Sequence, residues 1–448
     1  MRCIFFLLFS AASVCAQTSN NLYFPPKTGN TWQTITPQSE GFCPERIDSL
    51  YRFLEKGGTK SFILLKNGSI VLEKYFGAYT QDSLWYWASA GKSLTAYLTG
   101  LAQQEGLLNI NDRTDQYLGV GWTTCPPAKE ALITLRHQLT MTTGLNDNLP
   151  PTAAVPDPDN CPDPACLKYL ADAGTRWAYH NAPYRLLHDV MAKASGQNIN
   201  QFTQTRLFAK VGMKGLWINH IMYGRARDMA RFGLLALAKG VWAGDTIVRN
   251  TQYINAMTQP SQVFNKSYGY LWWLNGQTSF MLPGLQLVFP GKLIPNAPDD
   301  LFAALGKNDQ KIHIVPSKGW VVVRQGNVAS IAPNGAQVPI IFDNQLWQYL
   351  NLLQCGATVT DETTELRSLV ISPNPTAHNW LISNPSGHIQ QLRLTNTQGQ
   401  LCWSAPGLAP EETRMIPGEA LAAGVYFLSW KEGALQKTTR LVKIGSQR

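Results

Sequence analysis

Residues 85–94, Trp-Tyr-Trp-Ala-Ser-Ala-Gly-Lys-Ser-Leu, constrain this chain more than any other stretch. An aromatic approach runs into a helix start, with Ser89 at the entry and Lys92 three residues on. From Leu94 onward Tyr97, Leu98 and Leu101 recur at helical spacing, and Gly106 ends the run. Residues three apart share a helix face. Ser89 therefore sits beside an ammonium group and at the positive end of the helix dipole. That setting suits a hydroxyl that loses its proton and then carries negative charge. The plain alternative is a capping serine with a solvent-facing lysine. Ser-x-x-Lys arises about once by chance in a chain of this composition, and Ser89 is its only occurrence.

The rest of the chain shows what surrounds this stretch. Pro44 opens a short helix with Ile47, Leu50, Tyr51 and Leu54 on one face. Residues 61–66 and 69–75 form a hairpin across Asn67-Gly68. Further helices are predicted around Ile133–Met141, after Asn181 as far as Gly196, over Asp228–Lys239, and near Asn344–Leu353. Strands are predicted at Tyr268–Leu274, Lys311–Val315 and Trp320–Arg324. An early hairpin, late strands and helices between them do not make a regular βαβ alternation. They predict an α+β, or mixed α/β, domain whose antiparallel sheet is built from both ends of the segment.

At 448 residues the chain is too long for one average domain. A polar linker, 356–365, separates residues 22–355 from 366–448, where short strands between turn signals predict a small all-β sandwich. Residues 1–16 read as a signal peptide: Arg2, the apolar Ile4–Phe9, and a cleavage site after Val14-Cys15-Ala16. No segment is long enough to span a bilayer. The expected location is outside the cell or on the outer-membrane surface.

With Cys3 and Cys15 removed, six cysteines remain in an oxidising setting. Cys161 and Cys166 are the first candidates for a disulfide, with Cys125 competing for either. Their spacing matches no zinc pattern. Asp157, Asp159 and Asp163 suggest calcium only weakly, since the spacing fits no EF-hand and prolines interrupt it. No metal and no cofactor are expected. The net charge is +9 without a basic run or helix face, which argues against a nucleic-acid partner.

Tyr179-His180-Asn181 supplies the partners that a serine nucleophile needs. Tyrosine and asparagine two apart place a phenol and an amide on one edge of a tight loop, close to a lysine and a substrate. Tyr-x-Asn recurs at Tyr253 and Tyr349, but only the Tyr179 copy lies in a loop before a helix and about 90 residues after the serine. His180 is a candidate substrate contact. His137 and His188 read as packed or surface residues.

Ser89-Ala-Gly-Lys92, Tyr179-His-Asn181 and a lysine near a strand start at Lys307 together resemble the penicillin-recognising serine hydrolases, the superfamily of class C β-lactamases, D-Ala-D-Ala peptidases, carboxylesterases and some amide hydrolases. Residues 138–145 and 226–234 are similar to segments of that family. The resemblance covers roughly residues 22–355. It implies a β-lactamase/transpeptidase-like fold, a mixed α/β domain with an antiparallel sheet plus an inserted helical subdomain, with the site between the two. It implies Ser89 as the acylated nucleophile, Lys92 as its proton acceptor, and Tyr179 as a relay or the base itself. Asn181 would orient Lys92 and the substrate carbonyl. Backbone N–H groups of Ser89 and Gln310 would form the oxyanion hole, and Lys307 would add positive potential.

The third motif departs from the family. Lys307-Asn308-Asp309 stands where Lys-Thr-Gly is usual, and strand alternation would put Asp309 on the same face as Lys307. This favours a small-molecule or peptide substrate cleaved at an ester or amide bond over a β-lactam or D-Ala-D-Ala substrate. A non-catalytic relative that binds cell-wall peptides is the remaining alternative. In the C-terminal region, Ser372-Pro-Asn-Pro375, Asn396-Thr-Gln-Gly399, Ala423–Phe427 and Lys443-Ile444 resemble the sorting domain of the type IX secretion system, which implies that machinery as a partner.

Overall fold

A computed structural model describes residues 22–329, 340–355, 369–372, 374–384, 389–410, 412–432 and 435–444. The expected signal peptide, 1–16, and linker, 356–365, lie outside the described residues. The chain divides into two compact units, with Asn351 in the first and Leu352 opening the long segment of the second.

The first unit is organised by six antiparallel strands. These are β1 (Thr59–Lys66), β2 (Ser69–Tyr75), β3 (Trp273–Leu274), β4 (Phe302–Gly306), β5 (Gln310–Val315) and β6 (Trp320–Gly326), in the spatial order β2-β1-β6-β5-β4-β3. The early hairpin and the late strands do meet in one sheet, as the pattern predicts. They do so because β1 and β6 both carry continuous apolar runs, Phe62–Leu65 and Val321–Val323, buried on both faces.

Helices cover each face. α1 (Pro44–Lys56) and the closing α5 (Ile340–Asn351) pack together through stacked rings, Phe53 lying 5.1 Å from Phe342 and 4.5 Å from Tyr349. On the other face lies α4 (Ala226–Leu237). At Gly233 a methyl group would collide with Val321 Cγ1 and stand 2.9 Å from Ile312 Cγ2. Glycine is what lets this helix seat directly on the strands.

The buried Ser89 helix, α2 (Gly91–Gln104), and α3 (Asn181–Ser195) belong to the helical part, whose core gathers Trp122, Ile133, Leu145, Leu167, Ala182 and Leu186. The segment 138–145, singled out by its sequence, ties this part to the chain on both sides of Tyr179. Gln138 Nε2 donates to the Pro183 carbonyl at 2.7 Å, and the Met141 carbonyl accepts from Ala178 N at 2.9 Å.

Two predicted strands need correction. The run Tyr268–Leu274 enters the sheet only at Trp273–Leu274, because Leu271 adopts a φ of +59° and turns the chain. Ser93 Oγ holds that turn by donating to the Leu271 carbonyl at 2.7 Å. Lys307–Asp309 is likewise not strand but the turn joining β4 to β5, with Asn308 and Asp309 at φ +59° and +61°. Strand alternation therefore does not apply there.

The second unit is a sandwich of two antiparallel sheets. Val370–Ser372, Trp380–Ser383 and Thr413–Ile416 form one; Leu401–Leu408, Ile389–Asn396, Gly424–Glu432 and Leu435–Lys443 form the other. Both contribute to one core around Trp380, Leu394, Leu428 and Trp430, with Trp403 packed against it. No helix among the described residues is long and apolar enough to cross a membrane.

Candidate active site

The aromatic approach is held by pairing. Trp85 and Tyr86 form a short antiparallel ladder with Tyr223 and Gly224, and Trp87 N donates to the Met222 carbonyl at 2.8 Å. Trp87 is fully buried, so the chain arrives at Ser89 from a fixed point. Ala88 has a φ of +47°, in the left-handed region that disfavours a side chain, and Ala88–Ala90 form a 3₁₀ turn leading into α2. Ser89 sits in this turn, half-buried, one step before the helix proper.

Lys92 is 2% exposed. Its Nζ lies 2.8 Å from Ser89 Oγ and 2.6 Å from Asn181 Oδ1. The same nitrogen stands 4.1 Å from the centre of the Tyr184 ring and 4.7 Å from that of Tyr179. Burial pushes the ammonium well below its ordinary 10.5, the Asp159 carboxylate acts in opposition, and the Arg185 charge adds to the lowering. A neutral amine can donate to Asn181 and accept the Ser89 proton on its lone pair.

Tyr179 is held in an aromatic cluster with Trp177, Tyr268 and Trp273, stacked on Trp273 at 5.7 Å. Its hydroxyl makes no hydrogen bond of normal geometry among the described residues, while Ser89 is the near polar group that favours its anion. Burial dominates and raises the phenol far above its usual range; Ser89 opposes this, and Tyr184 and Asp159 reinforce it. Of the two groups able to deprotonate Ser89, the lysine is the one whose surroundings favour the basic form.

Asn181 opens α3, and its orientation is set by a residue that sequence reading assigned only to a weak calcium site. Asp159 Oδ1 accepts from Asn181 N at 3.0 Å, and Asp159 Oδ2 makes a short hydrogen bond with Asn181 Nδ2. The other two aspartates of that loop serve it locally. Asp157 Oδ2 accepts from Asn160 Nδ2 and Asp163 Oδ1 from Ala165 N. The loop is closed by a disulfide between Cys161 and Cys166, while Cys125 is a buried free thiol. Cys43 and Cys355 are also disulfide-bonded, and Cys402 is free.

The third motif differs from the sequence expectation. Lys307 is exposed, and its side chain makes no hydrogen bond or ion pair among the described residues. Asp309 does not neutralise it. Asp309 is fully buried, with Oδ1 3.0 Å from Lys311 Nζ and Oδ2 accepting from Ala329 N. The turn geometry of 307–309 sends the two side chains apart. Gln310 is buried with its side chain spanning the turn, donating to the Asn308 and Gly326 carbonyls at 2.7 Å each.

The residue pressed against the nucleophile turn is Gly306, which sequence reading passed over. A Cβ there would stand 2.5 Å from the Trp87 carbonyl oxygen, 3.0 Å from Ala90 N and 3.2 Å from Ala88 Cβ. A glycine closing a buried strand was the available signal. Asn308 Nδ2 adds a donation to Tyr86 Oη at 2.7 Å, tying the turn to the approach strand.

Of the three histidines singled out in the sequence, His137 and His188 are held by hydrogen bonds and His180 is not. His180 is 2% exposed with both ring nitrogens unpartnered among the described residues, and burial lowers its pKa, so the imidazole is neutral. His188 bonds Thr95 Oγ1 at 2.9 Å and is pushed down to about 3 by burial. His137 reciprocally caps its helix with Thr134.

The model of the Beta-lactamase family matches residues 55–328. The chain belongs to the beta-lactamase family. An uncharacterized protein of Alkalihalophilus pseudofirmus is 23% identical over 311 residues, covering 60% of this chain and 83% of that protein. A penicillin-binding protein of Bacillus subtilis (strain 168) is 26% identical over 214 residues, 41% of this chain; the match spans 46% of the relative's own length. Among solved structures, the "Putative 6-aminohexanoate-dimer hydrolase from Bacillus anthracis" superposes with a TM-score of 0.56 at 18% identity, over 75% of this chain and 88% of that one. The likeness establishes the beta-lactamase/transpeptidase-like fold. Members of this family are generally hydrolases, and the family includes penicillin-binding proteins.

Proposed function

We propose that the chain is a serine hydrolase that cleaves an ester or amide bond through an acyl-enzyme on Ser89. The observation that carries this is the buried Lys92 amine within hydrogen-bond reach of both Ser89 Oγ and Asn181 Oδ1. Lys92 takes the Ser89 proton as Oγ bonds to the substrate carbonyl carbon. The carbonyl oxygen carries the charge, facing backbone N–H groups of Ser89 and of the third-motif hairpin, where Gln310 is the named candidate. Tyr179, beside Ser89, gives its proton to the leaving group as the carbon–leaving-group bond breaks, and takes the proton that Lys92 received, so both end neutral. Lys92 then takes a proton from the attacking water, and Ser89 Oγ recovers one as the acid leaves.

Ester or amide is favoured over β-lactam because the buried cations near the third motif are committed elsewhere and the uncommitted one is exposed. Lys311 is paired with Asp309 and Asp343, Arg324 donates to backbone carbonyls, and Lys307 is exposed. Among the described residues, a substrate carboxylate has no uncommitted buried cation there to meet. The "6-aminohexanoate-dimer hydrolase" neighbour is named for an amide substrate, while the Bacillus subtilis relative is named for penicillin binding, which keeps β-lactam or D-Ala-D-Ala peptide as the second reading.

The test incubates the protein with a p-nitrophenyl ester, a chromogenic cephalosporin and a D-Ala-D-Ala peptide, each beside Ser89→Ala. Ester turnover that disappears in Ser89→Ala, with an acyl adduct on Ser89 by mass spectrometry, is expected. Absence of any turnover or adduct would sink the enzyme reading. Preferred turnover of the cephalosporin would reverse the substrate order.

The same proposal places the enzyme outside the cell. The signal-like residues 1–16 and the sorting-type segments support export, and the sandwich of the second unit is compatible with a type IX sorting domain. Culture fractionation with and without residues 369–448 tests it; retention of export by the truncated chain would refute the sorting role.

A further inference from the structure

Asn181 can serve Lys92 only with its amide oxygen, and an asparagine side chain has two ways round. The described contacts decide which. A carboxylate only accepts, so the edge of Asn181 facing Asp159 must be the NH₂ group, and the oxygen is thereby turned to Lys92. The second Asp159 oxygen accepts the Asn181 backbone N–H at 3.0 Å, so one carboxylate fixes both main chain and side chain at the start of α3. It also gives a helix N-terminus the negative charge that its dipole favours.

Asp159 is itself held from several sides. It lies in the 3₁₀ turn Pro158–Asn160, whose last carbonyl accepts from Arg185 Nη1 at 2.9 Å, one residue past Tyr184 on α3. The Cys161–Cys166 bridge follows at once, and Leu167 anchors the far end in the helical core. A loop dense in proline and aspartate is thus pinned at the point where it meets Asn181.

Resting on the acyl-enzyme reading above, we infer that Asp159 is a positioning residue of the Ser89 centre: its carboxylate orients Asn181 so that Oδ1 faces Lys92, and the disulfide-closed loop keeps it there. Asp159 touches no reacting atom; it acts through Asn181. Its charge also bears on Lys92, whose other neighbours are Ser89, Tyr179, Asn181, Tyr184 and Arg185. Removing a nearby anion makes it easier for the ammonium to lose its proton.

The experiment compares wild type, Asp159→Ala and Asp159→Asn on the p-nitrophenyl ester across pH. Asp159→Ala is expected to lower kcat roughly 10- to 100-fold with KM little changed. The acid limb of its kcat/KM profile moves to lower pH. Asp159→Asn keeps one acceptor for the Asn181 N–H, so it recovers part of kcat but shows the same displaced limb. A merely structural loop residue would alter yield and melting and leave the limb in place. A folded Asp159→Ala with wild-type kcat and an unmoved limb overturns the inference. Should wild type acylate with no ester at all, the hydrolase reading fails, and crystal structures decide the inference separately. Asn181 still presenting Oδ1 to Lys92 in Asp159→Ala refutes it; an amide turned away from Lys92 upholds it.

Discussion

Lys92 and Tyr179 divide the acid–base work by environment. Both are buried, and burial disfavours the charged form of each: it lowers the lysine and raises the phenol. Near neutral pH one is pressed towards free amine and the other stays a neutral donor, the pairing a proton relay requires. The sign follows for activity. Lys92 accepts the Ser89 proton only when neutral, so kcat/KM rises with pH through a folded-state pKa below 10.5 and levels above it. Lys92→Arg keeps the charge on a longer, planar head but cannot lose its proton. We expect it to lower kcat/KM by about 10³-fold or more and to abolish the rising limb, as measured by ester hydrolysis between pH 5 and 10. A Lys92→Arg enzyme with wild-type pH dependence would remove Lys92 as the base.

At the level of elements, the residues legible in sequence were those whose chemistry is local. Ser89 and Lys92 lie one helical turn apart, and Tyr179 and Asn181 lie two residues apart where a loop enters α3, so spacing alone brings each pair together. Asp159 and Gly306 were not legible in the same way. Asp159 reaches Asn181 across 22 residues of irregular loop, with no periodicity to mark it. Gly306 matters through what it lets approach. Lys307 drew attention by its charge, yet two left-handed residues make a turn where alternation predicted strand, and the lysine faces out. Gly306→Val tests the close packing of β4 on the nucleophile turn. Its branched Cβ meets the Trp87 carbonyl, the Ala90 N–H and the Ala88 methyl at once. We expect a folded protein destabilised by about 1–3 kcal/mol in urea titration. Ester turnover should fall at least about 10-fold, because the displaced turn carries Ser89. Unchanged turnover would show that β4 does not set the Ser89 geometry.

For the first unit as a whole, the position of the third-motif turn depends on a buried guanidinium beneath the sheet. Arg324, fully buried on β6, spends all five donors. Nε bonds Thr59 Oγ1, Nη1 bonds the Asn308 and Asp309 carbonyls, and Nη2 bonds the Gly57 and Asn327 carbonyls, at 2.7–3.1 Å. One side chain thereby joins the end of α1, strand β1 and the turn that rests against the Ser89 approach. Beside it Lys311, Asp309, Asp343 and His313 form a second buried ionic group tied to α5. Burial alone would raise the Asp343 pKa, but the charge of Lys311 and the His313 bond outweigh it and hold the carboxyl below its ordinary value. A depressed carboxyl contributes stability above its unfolded value of about 3.8, lost as pH falls through the folded one. The fan of Arg324 is a question of geometry rather than charge, since lysine has three donors on a single point and cannot reach five acceptors spread over three segments. Arg324→Lys therefore leaves several buried carbonyls unpaired and is expected to cost about 3–5 kcal/mol, read from the urea midpoint. Ester kcat should fall in the protein that remains folded, because the turn at 307–309 loses two of its anchors while Ser89, Lys92 and Asn181 keep theirs. A stable Arg324→Lys protein with full activity would mean that β4, β5 and the Gln310 and Asn308 side-chain bonds hold the turn without the guanidinium.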